Sequence, residues 1–239
     1  MLLAWWLVGA AQWLPASLLP PLGSVLQAAT ESIGSGALPA AAAISGGRLL
    51  AGFVLGSGLG IVLGLVSGLS RHGEDLLDST LQGLRAIPFL ALAPFFSLWF
   101  SVDEVAKVAL VAFGATFPAY LGTVAGIRAT DVRLVEAARV CGLSARERVR
   151  EVILPGAFPE LLTGLRIGFS WALAALVSAE LTSSSTGIGT LIAEAREYVQ
   201  TELLFVCVLT YALLGLAADT GLRLVARWQM PWRRVFGGQ

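Results

Sequence analysis

Three long stretches without a charged side chain constrain this chain more than any other feature of its sequence. Residues 49–69, 86–102 and 108–127 contain 21, 17 and 20 amino acids, respectively, and none of them is Asp, Glu, Lys or Arg. An α-helix needs about 20 consecutive apolar residues to cross the hydrocarbon core of a bilayer. Charged residues make up only 13% of the chain, whereas soluble globular proteins contain about 25%. The sequence therefore predicts an all-α, polytopic membrane protein.

The hydrophobic pattern predicts about six transmembrane helices. A loop rich in Gly, Ala, Pro and Ser is expected over residues 15–47, and a short polar loop over residues 70–85. Pro88 and Pro94 interrupt the third span. The predicted spans are residues 1–14, 49–69, 86–102, 108–127, 161–180 and 203–218.

The distribution of basic residues predicts the orientation. With six spans and both termini in the cytoplasm, twelve arginines fall on the inner side and three basic residues on the outer side, with Arg166 near the inner end of the fifth span. Basic residues are retained in cytoplasmic loops, so the long polar stretch, residues 128–151, is predicted to be cytoplasmic. The three outer residues are Arg48, Lys107 and Arg196.

Five glycines recur at intervals of four along the second predicted span. Such spacing places them on one face of a helix, where the absence of side chains lets another helix approach closely. The sequence predicts helix packing at this face and no chemistry. The glycines are Gly52, Gly56, Gly60, Gly64 and Gly68.

The long polar stretch predicts two short helices separated by a break. Gly142 lies between helix-forming segments and suits a C-terminal cap with positive φ. Ser144 and Glu147 have the spacing of a capping box at the start of the second helix. Pro155 is expected to end that helix. The two helices would form a compact knob beside the membrane.

The residues of this knob resemble the EAA loop of binding-protein-dependent ABC importers. Their pattern is E-A-A-x3-G-x9-[I/V]-x-L-P, which begins at Glu136 and ends at Pro155, with Val152 where Ile is more usual. Further stretches, including Leu-Arg-Ala-Ile-Pro at 84–88 and Gly-Leu-Arg at 164–166, look like the sulfonate, taurine and nitrate branch. Tyr-Ala-Leu-Leu-Gly at 211–215 is most similar to aliphatic-sulfonate permeases.

The resemblance implies a single transmembrane domain over residues 1–239, with a core at about 45–228 and a coupling loop at 128–155. In that family the loop inserts a short helix into a separate ATPase subunit. The implied partners are ABC ATPase subunits, a substrate-binding protein and a second permease copy, in the bacterial inner membrane. The residues implied in coupling are Glu136, Ala137, Ala138, Arg139, Gly142, Leu154 and Pro155.

The chain is not expected to be an enzyme or to bind a cofactor. A P-loop requires G-x4-G-K-[S/T], and the only lysine, Lys107, lies outside any glycine-rich loop. ATP and Mg²⁺ are therefore expected on the partner ATPase. A single histidine, His72, argues against a metal site, and 16 basic and 16 acidic residues leave no net field to hold nucleic acid.

Polar residues at the outer end of the fifth span are candidates for a translocation pathway, although small hydroxyls at helical spacing also serve as contacts between helices. Glu180 suits an anion pathway only if it is turned away or paired, for which Arg196 is a candidate. The candidate residues are Ser170, Ser178, Glu180, Thr182 and Ser183.

The sequence leaves the substrate open. The resemblance favours a small aliphatic sulfonate, and the alternatives are taurine, nitrate or bicarbonate, and a vitamin precursor. An ion-coupled secondary transporter is the alternative from a different class. Such transporters use acidic residues inside the membrane and often contain inverted repeats, whereas here the acids lie at span ends and no internal repeat is found.

Overall fold

A computed structural model describes residues 19–85, 87–100, 104–183 and 185–229, and every regular element in these ranges is helical. The predicted first span, residues 1–14, lies outside the described residues. The helices are α1 (Leu22–Gly34), α2 (Ala37–Leu69), α3 (Arg71–Arg85), α4 (Ala93–Trp99), α5 (Glu104–Ala129), α6 (Val132–Val140), α7 (Ala145–Arg148), α8 (Leu154–Ser183), α9 (Ile188–Glu197) and α10 (Thr201–Gln229), with a 3₁₀ turn at Phe89–Leu92 and a π-helical turn at Val149–Ile153.

Four helical segments in the described ranges are long and apolar enough to cross a membrane. They are Ala37–Leu69, Glu104–Ala129, Ala145–Thr182 and Thr201–Ala226. Each contains one of the predicted spans, at residues 49–69, 108–127, 161–180 and 203–218. All four helices extend beyond the apolar stretches that predicted them, because a helix continues into flanking residues until a cap or a break ends it.

The predicted third span is not one continuous helix in the part of it that the structure describes. Phe89–Leu92 forms a 3₁₀ turn and α4 has only seven residues, which span about 10 Å along the helix axis. Pro94 lies in the first turn of α4, where a missing N–H costs no hydrogen bond. The proline therefore starts a short helix instead of interrupting a long one.

Two predicted loops contain helices. α1 and the first turns of α2 lie within the predicted loop at residues 15–47, and α3 occupies the predicted loop at residues 70–85. The run of alanines near the start of α2 favours helix. In α3, Leu77, Leu81 and Leu84 recur at the spacing of one helical face.

The glycine face of α2 packs directly on α5, as predicted. A Cβ atom added at Gly64 would lie 2.6 Å from the Cβ of Thr123, and one added at Gly56 or Gly60 would meet the α5 backbone. α5 and α8 approach equally closely, because a Cβ at Gly122 would lie 2.7 Å from the Cα of Gly164. These glycine surfaces are therefore used for packing within one chain.

The packing of α5 against α8 defines two ends of the molecule. At one end α5 finishes and α8 begins, and α6 and α7 connect them; we call this the loop end. At the opposite end α5 begins, α8 finishes and α9 follows. Since α5 has 26 residues, the two ends are about 39 Å apart along its axis.

Candidate functional site

The first helix of the loop, α6, has defined caps at both ends. The side chain of Asp131 accepts a hydrogen bond of 2.9 Å from the backbone N–H of Arg133. At the other end Gly142 has a φ of +84°, and the N–H of Leu143 donates to the carbonyl of Ala138 at 3.1 Å. The predicted glycine break at Gly142 is confirmed, and its positive φ is one that side chains other than glycine rarely adopt.

The second helix begins with the predicted capping box. The N–H of Ser144 donates to Oε2 of Glu147 at 2.7 Å, and the N–H of Glu147 donates to Oγ of Ser144 at 3.3 Å. Two otherwise unpaired N–H groups are satisfied in this way. The chain direction on leaving the glycine break is therefore set locally.

Pro155 does not end this helix, contrary to prediction. α7 continues through the π-helical turn at Val149–Ile153 directly into α8. In that turn the N–H of Leu154 donates to the carbonyl of Val149, which is the wider spacing of a π turn. The widened turn lets the helix pass a residue that lacks an N–H.

The loop is mounted on the packed ends of α5 and α8. Oγ1 of Thr130 donates to the carbonyls of Gly126 at 3.3 Å and Ile153 at 3.5 Å. A Cβ added at Gly126 would contact the backbone of Ala157. A displacement of the loop therefore acts directly on two of the membrane-spanning helices.

α6 contains no buried residue. Its apolar side chains Val132, Leu134 and Val140 are 67%, 59% and 88% exposed, respectively. Among the residues implied in coupling, Ala138 is half-buried, and Glu136, Ala137, Arg139, Gly142, Leu154 and Pro155 are exposed. The resemblance and the geometry thus agree that this surface is accessible to another protein, and exposed apolar side chains of this kind commonly mark an interface.

Glu180 lies in a buried ionic network at the opposite end. The residue is 2% exposed. Its carboxylate accepts hydrogen bonds from Nη1 of Arg48 at 2.6 Å, from the N–H of Gly189 at 2.9 Å and from the hydroxyl of Tyr211 at 2.7 Å. Oγ of Ser45 lies 2.7 Å from the same carboxylate. The partner of Glu180 is therefore Arg48 of α2, and the suggested pairing with Arg196 is wrong.

Arg48 connects three further groups to this network. Its Nε donates to Glu104 at 2.6 Å and its Nη1 to the carbonyl of Thr186 at 2.8 Å. Lys107 lies 3.1 Å from Glu104. Two cations and two carboxylates thus join α2, α5, α8 and the segment before α9. The count of basic residues that predicted the orientation treated Arg48 as a residue of an outer loop, whereas it is a buried residue of a spanning helix.

Two predicted pathway residues share a groove. Ser170 and Ser178 of α8 line it together with Tyr211 of α10, and its volume is about 530 Å³. Thr182 is exposed and its hydroxyl donates to the carbonyl of Ser178 within the same helix at 2.8 Å. The side chain of Ser183 lies outside the described residues. Glu180 does not line the groove, because it is buried in the ionic network.

A second ionic cluster joins α8 and α10 nearer the loop end. Nε of Arg166 donates to Oδ1 of Asp219 at 2.8 Å, and Nε of Arg223 donates to Oδ2 of the same carboxylate at 2.7 Å.

The family of binding-protein-dependent transport system inner membrane components matches residues 56–230 of this chain. The chain belongs to this family. The permease loop described above, residues 128–155, lies inside the matched region, together with α5, α8 and the cluster of Arg166, Asp219 and Arg223.

Two relatives align along almost the whole permease. A protein of Bacillus subtilis (strain 168) named as an aliphatic sulfonates transport permease is 40% identical over 234 residues, which is 98% of this chain and 85% of that protein. Its namesake in Escherichia coli (strain K12) is 43% identical over 232 residues, or 97% of this chain and 88% of that protein.

A solved structure shows the same fold. A chain of the MetNI methionine ABC transporter in an inward-facing conformation matches with a TM-score of 0.55 and 22% sequence identity, covering 77% of this chain and 91% of that chain. The permease thus has the fold of that transporter chain.

Sequence reasoning missed the cluster of Arg166, Asp219 and Arg223. The sequence does indicate the Asp219–Arg223 ion pair, because these residues are four apart and lie on one face of a helix. Arg166 is 53 residues from Asp219, and no periodicity within α8 predicts that contact.

Proposed function

We propose that this permease conducts a small aliphatic sulfonate across the bacterial inner membrane, driven by ATP hydrolysis in separate ABC ATPase subunits. A substrate-binding protein delivers the solute to the end that carries the Arg48–Glu180 network. The observation that carries the proposal is the identity of 40–43% to two permeases named for aliphatic sulfonates, over nearly the full chain.

The exposed face of α6 supports the coupling role. Val132, Leu134 and Val140 present apolar surface, and Glu136 and Arg139 add charged groups beside it. A helix of nine residues that buries none of its side chains is stabilised when a partner covers it. A cleft on the ATPase provides such cover, and closure of that cleft moves α5 and α8 through the contacts of Thr130.

The orientation follows from the basic residues. The loop end has the arginines of residues 128–151 and so lies in the cytoplasm. With the first span predicted at residues 1–14, both termini are cytoplasmic as well. The opposite end holds Arg48 and Lys107, whose charges are balanced by Glu180 and Glu104.

The substrate is tested with the complete complex. Proteoliposomes that contain the permease, its ATPase and its binding protein are expected to accumulate labelled butanesulfonate when ATP is present. An ATPase whose P-loop lysine is replaced serves as the control, and the ion-coupled alternative requires uptake to continue with it.

In parallel, a deletion strain is expected to stop growing on alkanesulfonates as the sole sulfur source. Normal growth together with loss of uptake of taurine, nitrate, bicarbonate or a vitamin precursor would reject the sulfonate assignment.

We also propose that two copies of the permease assemble with two ATPase subunits. Each chain offers one coupling loop, and ABC ATPases work as pairs in the family that the chain resembles. Native mass spectrometry of the purified complex is expected to show two identical permeases and two ATPases. A single permease, or a second, different permease in every active complex, would contradict this stoichiometry.

A further inference from the structure

The carboxylate of Asp219 holds two guanidinium groups on adjacent helices. The Arg166–Asp219 distance is 2.8 Å and the Arg223–Asp219 distance is 2.7 Å. The side chains of Arg166, Asp219 and Arg223 are 43%, 31% and 59% exposed, respectively. The cluster is therefore held in position by its own ion pairs and is open on one side.

The cluster has an excess of positive charge and of hydrogen-bond donors. Two guanidinium groups and one carboxylate leave a net charge of +1. Each arginine directs its Nε at Asp219, and within the described part of the chain its terminal nitrogens make no further hydrogen bond. Guanidinium nitrogens bind the oxygens of oxyanions in paired, charge-assisted hydrogen bonds.

The cluster begins one helical turn beyond the groove that contains the predicted pathway serines. Arg166, Ser170, Ala174 and Ser178 follow one another at intervals of four along α8, so each is about 40° around the helix from the next. The last three line the groove. From Ser178 to Arg166 this row of residues is about 18 Å long, and it runs from the groove toward the loop end.

Arg166 lies near the loop-end boundary of the span at residues 161–180. The helical segment Ala145–Thr182 is longer than a bilayer core is thick, because it also contains α7 of the loop. A guanidinium near the end of a span can extend to water at the membrane surface. The cluster is therefore accessible to a solute that reaches the loop end.

We infer that Arg166 and Arg223, bridged by Asp219, bind the sulfonate group of the substrate before its release at the loop end. This inference rests on the proposed function, since it names a contact that the transported anion makes. The groove at Ser178 and Ser170 has no charged lining residue, and the cluster supplies net positive charge one helical turn beyond Ser170. Asp219 offsets one of the two positive charges, which keeps the anion weakly bound and lets it leave.

Binding of labelled butanesulfonate to the permease–ATPase complex in nanodiscs, without the binding protein, tests the inference. At low salt the wild-type complex is expected to bind the anion saturably, and unlabelled butanesulfonate but not butanol to displace it. Arg166→Gln and Arg223→Gln remove one positive charge and are expected to weaken binding about tenfold. Asp219→Asn raises the net charge of the cluster to +2 and is expected to tighten binding.

Two controls separate charge from damage to the fold. Arg166→Lys keeps the charge and is expected to bind within about threefold of wild type, as a point charge replaces one guanidinium. Arg196→Gln removes an exposed arginine of α9, away from the groove, and is expected to leave binding unchanged. If the Arg166→Gln complex does not assemble, the two variants in α10, Arg223→Gln and Asp219→Asn, test the inference by themselves.

Equal affinity of all variants, displacement by butanol, or the absence of saturable binding would overturn the inference. Such results leave the proposed function standing, because delivery by the binding protein and ATP-driven uptake are measured separately. Conversely, loss of sulfonate uptake in the complete system, with the charge-dependent series of affinities intact, would reject the sulfonate assignment and keep the anion site.

Discussion

Replacing Glu180 with Leu is expected to destabilise the permease by about 3–5 kcal/mol, the cost of removing one member of a buried ion pair. Glu180 is 2% exposed and accepts hydrogen bonds from Arg48, Gly189 and Tyr211. Leu fills a similar volume but accepts none of these hydrogen bonds. The variant therefore leaves a buried guanidinium short of negative charge and a buried N–H without an acceptor.

The measurement is thermal unfolding of the purified complex, followed by tryptophan fluorescence. A decrease in Tm of about 10 °C is expected for Glu180→Leu, given the usual relation between Tm and free energy for chains of this size. Glu197→Ala, which removes an exposed carboxylate of neighbouring α9, is expected to change Tm by less than about 2 °C. A Glu180→Leu variant that unfolds at the wild-type temperature would contradict the structural role of the network.

A double variant identifies the interaction itself. Arg48→Met with Glu180→Leu removes both charges of this pair. Glu104, whose side chain is 53% exposed, remains paired with the buried Lys107. The double variant is expected to be more stable than either single variant, because no buried charge remains unpaired. Strictly additive losses of stability would show that Arg48 and Glu180 do not act as a pair.

The elements that local sequence determines were predictable. The spans in α2, α5 and α10 were visible as uncharged stretches, and the glycines of α2 predicted close packing because their spacing matches a helical face. Gly142, Ser144 and Glu147 form their break and capping box from interactions within a few residues, so the pattern alone was sufficient. The resemblance to importer permeases then predicts that residues of this loop take part in coupling.

The ionic clusters depend on contacts that a pattern cannot reveal. Glu180 is 132 residues from Arg48, and the reading that placed it in the pathway followed only from its position at the end of a span. Its true environment is set by α2, which brings Arg48 to the same level. Likewise Pro155 was expected to end a helix, whereas the π-helical turn before it maintains the helix. The local preferences of Glu180 and Pro155 were judged correctly, but packing against the rest of the chain determines where each residue lies.

A second large effect is expected from a substitution in the coupling loop, residues 128–155. Gly142→Asp is expected to abolish transport and ATPase co-purification while membrane insertion remains at the wild-type level. Gly142 has a φ of +84°, which strains any residue with a side chain, and an added carboxylate lies beside the exposed face of α6. A shift of α6 by even one or two ångströms misplaces Glu136 and the two alanines that follow it against the partner.

Glu136→Lys tests the same surface without changing the backbone, because the residue is exposed and α6 is capped elsewhere. Its charge reversal is expected to weaken co-purification of the ATPase at least tenfold, since loss of a charge-assisted contact at an interface costs about 2 kcal/mol or more. Gly142→Ala, which has the smallest possible side chain at the same φ, is expected to show ATPase co-purification and transport between those of wild type and Gly142→Asp.

All variants are compared by membrane content, ATPase co-purification and uptake in the same preparation. Full co-purification and transport in both Gly142→Asp and Glu136→Lys would exclude the loop as the coupling element. Loss of membrane content in step with loss of docking would instead assign Gly142 a role in folding.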